Sequence, residues 1–264
     1  MTELEKYLAD YSPIAELNDL IWTSFEKNTD SIHFLKAHRD WVEQNSWGFG
    51  DRAFHYMWYL LLRDDVLNRP DPKLLEIGVY KGQVVSLWAL ISSHLHSSAA
   101  ITAVSPFEST KPWFAKNFVL ERVMRVISRP YRDDVRSASL YDSENYLDSV
   151  RQIFQQFSLS EANITFLRGY SQDHHIYQRL ERQCFDVIYI DGGHRYEQVA
   201  QDLTNYSRLV GANGYLVLDD ASCKQPGSKF WKGHESVSRA VDEWGATGFR
   251  NVLNVGHNRV FRRD

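Results

Sequence analysis

From Lys73 onward, short apolar runs alternate with stripes of helical period. Leu74-Leu75-Glu76-Ile77, Ala100-Ile101-Thr102-Ala103-Val104, Asn163-Ile164-Thr165-Phe166-Leu167, Phe185-Asp186-Val187-Ile188-Tyr189-Ile190 and Gly214-Tyr215-Leu216-Val217-Leu218 read as five buried strands. Val84 to His94 reads as a helix, and Tyr196, Val199, Ala200, Leu203 and Tyr206 stripe another. Segment 110–160 is long for one crossover and predicts two helices, the better with Tyr146, Val150, Ile153, Phe154 and Phe157 on one face. Phe249 to Val255 and Asn258 to Arg262 read as two further strands around Gly256-His257, suited to an antiparallel hairpin. The alternation predicts an α/β chain: a Rossmann-like, mainly parallel seven-stranded sheet with helices on both faces and an antiparallel last strand.

Before Lys73 there is no strand pattern. Leu4, Tyr7, Leu8 and Tyr11 recur at helical spacing until Pro13 stops the turn. Phe54, Met57, Trp58, Leu61 and Leu62 mark a second amphipathic helix, ending before Asn68-Arg69-Pro70-Asp71-Pro72. Residues 1–69 are therefore expected to form a helical cap, and 70–264 the main domain.

Composition narrows the classes. With 43% hydrophobic residues in 264, the chain can bury a sizeable core. A net charge of −4 gives no reason to expect a nucleic-acid partner. No apolar run has transmembrane length, so no membrane partner is expected. The acidic start, Met1-Thr2-Glu3-Leu4-Glu5-Lys6, lacks the features of a signal peptide, and a reducing cytoplasm is the default. Cys184 and Cys223 are too few for a zinc cluster and read as buried, inert thiols near strands. A homo-oligomer is left open.

The chemistry gathers in two blocks, Ile190-Asp191-Gly192-Gly193-His194 and Leu218-Asp219-Asp220, each just past a buried run. Functional groups in open parallel sheets collect at the carboxyl ends of strands, and neighbouring strands lie roughly 4.8 Å apart. Asp191, Asp219, Asp220 and His194 are thus expected to converge, a set that suits a divalent cation with oxygen ligands beside a histidine base. Taken singly, Asp191 reads as an Asx turn and His194 as a capping or surface imidazole. The acidic pair tips the balance, because adjacent like charges repel unless they are solvated or neutralised. Asp202 reads as a solvated helix residue. His174-His175 read as loop histidines. His234 lies in a loop that is either a lid over an acceptor or simply solvated, and Trp41, Trp47 and Tyr56 are candidates for an acceptor pocket.

Glu76-Ile77-Gly78-Val79-Tyr80-Lys81-Gly82 follows the first strand and opens a helix. Its glycines let backbone approach a ligand closely, and the helix N-terminus favours polar or anionic groups. The spacing is Gly-x-x-x-Gly rather than the dinucleotide fingerprint, which weighs against a nicotinamide-dependent oxidoreductase.

With these three blocks, residues 70–264 resemble the class I S-adenosylmethionine-dependent methyltransferases, and among them the metal-dependent small-molecule O-methyltransferases of the macrolide-sugar type. The resemblance implies S-adenosylmethionine bound over Glu76, Gly78, Tyr80 and Gly82, with Asp191 also at the cofactor. It implies magnesium held by Asp191, Asp219 and Asp220, and His194, with Asp191, carrying catalysis as His194 takes the acceptor's proton. The acceptor it implies is a hydroxylated small molecule, a sugar or a natural-product glycoside. One departure stands out. Ser105 occupies the place of the family's ribose-binding acid, leaving Ser105 or Glu108 to hold the ribose, while Tyr170 and Ser171 are expected near the adenine. That departure is what lends weight to the alternative, a non-catalytic binding or scaffold protein of the same fold.

Overall fold

The computed structural model describes residues 1–9, 11–108, 111–136 and 145–264. Seven strands form one sheet: β1 (Lys73–Ile77), β2 (Ala100–Ser105), β3 (Ile164–Arg168), β4 (Phe185–Ile190), β5 (Val210–Leu218), β6 (Phe249–Val255) and β7 (Asn258–Arg263). Their order is β3-β2-β1-β4-β5-β7-β6. The first five run parallel, and β7 inserts antiparallel between β5 and β6. This is the predicted mainly parallel sheet.

The sheet is buried on both faces because its strands are apolar on both sides, with a side-chain period of two. Leu74, Val187, Tyr189, Tyr215 and Val217 point to one core. That core is completed by α4 (Ala53–Asp64), α5 (Gln83–His94), α8 (Tyr146–Gln156) and the amino-terminal helices α1 (Glu3–Ala9), α2 (Ala15–Ser31) and α3 (His33–Gln44). Leu75, Ile77, Ile188, Ile190, Leu216 and Leu218 point to the other, under α9 (His174–Leu180), α10 (Tyr196–Tyr206) and α11 (Glu235–Trp244).

Several local expectations need correction. The described residues of the amino-terminal region form four α-helices rather than two, because α2 and α3 bury polar residues such as Asn18, Thr29, His38 and Arg39 that interrupt an apolar stripe. Between β2 and β3 the described residues form three helices, α6 (Phe118–Ile127), α7 (Arg129–Arg136) and α8, after a short 3-10 turn at Trp113–Lys116. Asn117 starts α6 by accepting from the amides of Val119 and Leu120, and extended Ser128 separates it from α7. Cys184 is exposed and Cys223 only partly buried, since both lie outside strands: Cys184 in the turn before β4, Cys223 in the loop after β5. No helix among the described residues is long and apolar enough to cross a membrane.

Candidate active site

The parallel register places the carboxyl ends of β1, β2, β4 and β5 side by side, with Ile77 opposite both Val104 and Ile190, and Ile190 opposite Leu218. Backbone bonds carry the ladder one residue further. The amide of Gly78 donates to Val104 at 2.9 Å, that of Asp191 to Ile77 at 2.8 Å, and that of Asp219 to Ile190 at 3.0 Å. Gly78, Asp191 and Asp219 therefore share one edge.

The glycine turn is shaped first by protein contacts. Gly78 has φ +94°, and a Cβ there would lie 1.8 Å from the carbonyl oxygen of Asp191. Only glycine lets these two strand ends close on each other. Gly82, at φ +93°, caps α5. Glu76 is buried, and burial raises its carboxyl to about 8. Its Oε2 has no hydrogen-bond partner and lines a cavity with Gly78, Gln83, Tyr189, Asp191 and His257. Tyr80 packs between Phe49 and Tyr146, at 5.3 and 5.1 Å. A buried chain ties the turn to the amino-terminal helices: His55 to His38 at 2.9 Å, His38 to Ser86 at 2.9 Å, and the Ser86 hydroxyl donating to the Gly82 carbonyl at 2.6 Å. Burial lowers His38 to about 3, so the chain is built from neutral rings.

The acidic residues are gathered at one edge but divided between its two sides. Asp191 and Asp219 continue the side that carries Tyr189 and Val217. Tyr189 donates to Asp219 Oδ1 at 2.9 Å and lies 3.4 Å from Asp191 Oδ2. His257, from the β6–β7 turn, reaches Asp219 Oδ1 at 3.0 Å. Burial alone would lower His257, but the Asp219 carboxylate raises it to about 9. Reciprocally, burial would raise Asp219, and His257 holds it below the ordinary carboxylate value. Among the described residues Asp191 has no such cation, and burial and the charge of Asp219 drive it well upward.

Asp220, with φ +52°, turns to the opposite side. Its Oδ2 lies 3.4 Å from His194 Nε2 and 3.5 Å from His234 Nε2, and the two imidazoles stack at 4.5 Å. Ligand atoms of His194, Asp220 and His234 lie within 4.8 Å of one another, as do those of Asp219, Asp220 and His257. Asp191 belongs to neither group.

The other sequence candidates fall as follows. Ser105 is buried, and its hydroxyl donates to the Val79 carbonyl at 2.8 Å. Glu108 is exposed. Tyr170 is half-exposed, with its amide donating to Asp173, and Ser171 is buried, its hydroxyl accepting from Gln172 at 2.7 Å. Asp202 is fully buried rather than solvated, because α10 turns it inward against Gln172, which donates to it at 2.8 Å. Burial raises its carboxyl to about 7. Tyr56 is buried against Phe25 and donates to Glu3, and Trp41 and Trp47 pack on each other, so none of the three lines the cavity. Phe49 and Phe54 do. His174 and His175 are exposed on the first turn of α9. The sequence reading missed His257 and Tyr189: the first sits in a hairpin turn with no local motif, and the second reads as an ordinary strand aromatic.

Comparison with known proteins places this architecture. Residues 75–221 match the family described as Methyltransferase domain, more than half of the 264-residue chain. An uncharacterized protein of Acanthamoeba polyphaga mimivirus is 33% identical over 67 residues, which are 25% of this chain and 30% of that protein. This chain thus covers under a third of that relative's length. The O-methyltransferase NovP superposes with TM-score 0.52 at 20% identity, over 80% of this chain and 79% of NovP. A Podospora anserina methyltransferase bound to S-adenosylhomocysteine gives 0.53 at 15%, over 90% and 93% of the two chains. An O-methyltransferase of Bacillus cereus, also with S-adenosylhomocysteine, gives 0.55 at 12%, over 92% and 98%. These likenesses are of fold. The family match, the strand order and the glycine turn at the carboxyl edge agree, and the chain belongs to the methyltransferase domain family, with the fold of the class I S-adenosylmethionine-dependent enzymes.

Proposed function

We propose that this protein transfers the methyl group of S-adenosylmethionine to a hydroxyl of a small molecule, a sugar or natural-product glycoside, with residues 70–264 as the methyltransferase domain and 1–69 as its cap. The observation that carries the reading is that the edge bearing the glycine turn also bears the buried Asp191–Asp219 pair on one side and Asp220 beside His194 on the other.

The residues suit both implied groups. Glu76 Oε2 is a buried acceptor without a partner beside the amino end of α5, where a polar cofactor end would satisfy it. Gly78, Tyr80 and Gly82 would flank the same end, Ser105 or Glu108 the ribose, and Tyr170 and Ser171 the adenine. Asp219 and Asp220 bring carboxylate oxygens, the donors that magnesium prefers, within 4.8 Å of each other, and Asp191, which burial and the charge of Asp219 drive upward, would join them as the third ligand. When bound, the cofactor supplies an electrophilic sulfonium methyl, and magnesium a charge that acidifies an acceptor hydroxyl.

The chain's own residues then have separate tasks. His194 Nε2 would take the proton of the acceptor hydroxyl as that oxygen receives the methyl group the cofactor would supply. Asp220 stabilises the imidazolium that forms. Asp191 and Asp219 supply the negative charge that orients the hydroxyl. Phe49 and Phe54 narrow the cavity beside them. The test is methyl transfer to a panel of hydroxylated glycosides, with and without magnesium. Transfer that magnesium supports and chelation stops is the expected result. Transfer that survives exhaustive chelation would remove the metal from the reading.

A further inference from the structure

His194, Asp220 and His234 form a second donor set with a chemistry unlike that of the carboxylates. The separations from Asp220 Oδ2 to the two Nε2 atoms, 3.4 and 3.5 Å, are longer than good hydrogen bonds. They match another geometry. With metal–nitrogen and metal–oxygen bonds of about 2.1 Å, two ligands on a tetrahedron lie roughly 3.4 Å apart. Both imidazoles thus stand off the same carboxylate oxygen at the edge length of a tetrahedral site.

The backbone holds the three residues in that relation. Asp220 and His234 are joined by the His234 amide donating to the Asp220 carbonyl at 3.0 Å. Beside them Ala221 and Gly233 form an antiparallel bridge. Gly233, at φ +85°, has no room for a side chain, since a Cβ would lie 2.3 Å from the Asp220 backbone. Ser236 donates to the His194 carbonyl at 2.6 Å, which pins the third residue to the start of α11. The His194 and His234 side chains keep 15% and 26% of their exposure, which leaves an entrance from solvent.

We propose that His194, Asp220 and His234 bind a transition-metal dication of the zinc class, and that filling this site silences methyl transfer. Two imidazoles and one carboxylate suit zinc, cobalt or iron, whereas magnesium demands oxygen ligands in octahedral array. The ion takes the Nε2 lone pair of His194, the pair that accepts the acceptor's proton. It also draws Asp220 away from the carboxylate set. The binding claim stands on geometry alone, and the inhibition claim rests on the proposed role of His194.

The experiment is a titration of chelator-treated, full-length protein with cobalt(II), read by the visible absorption of tetrahedral cobalt and reversed by zinc. One ion per chain is expected. His234→Ala should weaken cobalt binding roughly tenfold or more, since even partners of ligands cost that much. His234→Gln serves the same purpose should the alanine variant fail to fold. In parallel, zinc should inhibit the magnesium-supported transfer of wild type, and inhibit each His234 variant less, relative to that variant's own rate. Equal cobalt affinity in a folded His234 variant, or no cobalt spectrum in wild type, overturns the site. Cobalt binding through His234 in a protein that methylates no acceptor leaves the site standing and removes the proposed function. Methyl transfer that saturating zinc leaves untouched overturns the silencing.

Discussion

The two sides of the carboxyl edge are one residue apart in sequence and opposite in character. Asp219 faces a closed pocket, where His257 and Tyr189 hold it ionised beside a disfavoured Asp191. Asp220 faces an open rim, between two partly exposed imidazoles. A strand alternates its side chains, so adjacent residues leaving its end diverge. A doubled acid thus meets two surroundings: one carboxylate is a fixed buried charge, and the other stands at the rim within reach of two imidazoles.

The largest effect that would break this comparison lies on the open side. His194→Gln should lower turnover by roughly 10²–10⁴-fold, the usual contribution of a positioned base. The magnesium concentration needed for half-maximal rate should shift far less than the turnover does. Steady-state rates across a magnesium series check both. A variant with near-normal turnover and a large shift in magnesium requirement would make His194 a ligand.

The closed side should respond in stability. His257→Ala leaves Asp219 buried without its cation, and breaking a buried pair costs about 3–5 kcal/mol. Denaturant unfolding should show that loss. Asp219→Asn in the same background should recover part of it, because it removes the stranded charge. A His257→Ala protein as stable as wild type would mean that the pocket is wetter than the geometry implies.

Much of the sheet was legible because its strands are buried on both faces and so read as continuous apolar runs. The turn residues were legible because Gly78 and Gly82 stand where a strand gives way to a helix. The division of the acidic cluster was latent in the sequence, since Asp219 and Asp220 are neighbours and neighbours alternate. What could not be read was distance between remote segments. His257 becomes a partner of Asp219 only because β7 inserts between β5 and β6. The helices α2 and α3 hid because their buried faces carry Asn18, His38 and Arg39, which obtain partners from far along the chain: the Pro226 carbonyl, Ser86 and Gln83. Asp202 looked solvated for the same reason: its partner, Gln172, comes from the loop after β3.

Asp202 gives a test through pH. Its folded carboxyl is raised to about 7 by burial, against roughly 3.9 in an unfolded chain. The folded state therefore holds the proton more tightly. The stability this confers is complete below the unfolded value and is lost as pH rises from about 4 through about 7, with a limiting slope near 1.4 kcal/mol per pH unit. Asp202→Asn should flatten that slope and leave the variant more stable than wild type at pH 8. Melting curves across this range measure it, and an unchanged slope would assign the pH dependence to other groups.

The smallest expected effect concerns the far end of the edge, beyond β2, where the family's usual acid is replaced by Ser105. The Ser105 hydroxyl proton is already committed to the Val79 carbonyl, deep beneath the glycine turn. Ser105→Ala should cost about 1 kcal/mol of stability, the worth of one buried hydrogen bond. It should leave S-adenosylmethionine affinity within about twofold. Glu108, three residues on, is exposed. If it reaches the ribose hydroxyls, Glu108→Gln should weaken cofactor binding about tenfold, or about 1.4 kcal/mol. Calorimetric titration of both variants decides between them. A larger loss of affinity in Ser105→Ala would mean that the serine, by shaping the turn through Val79, governs the cofactor more than any side chain that touches it.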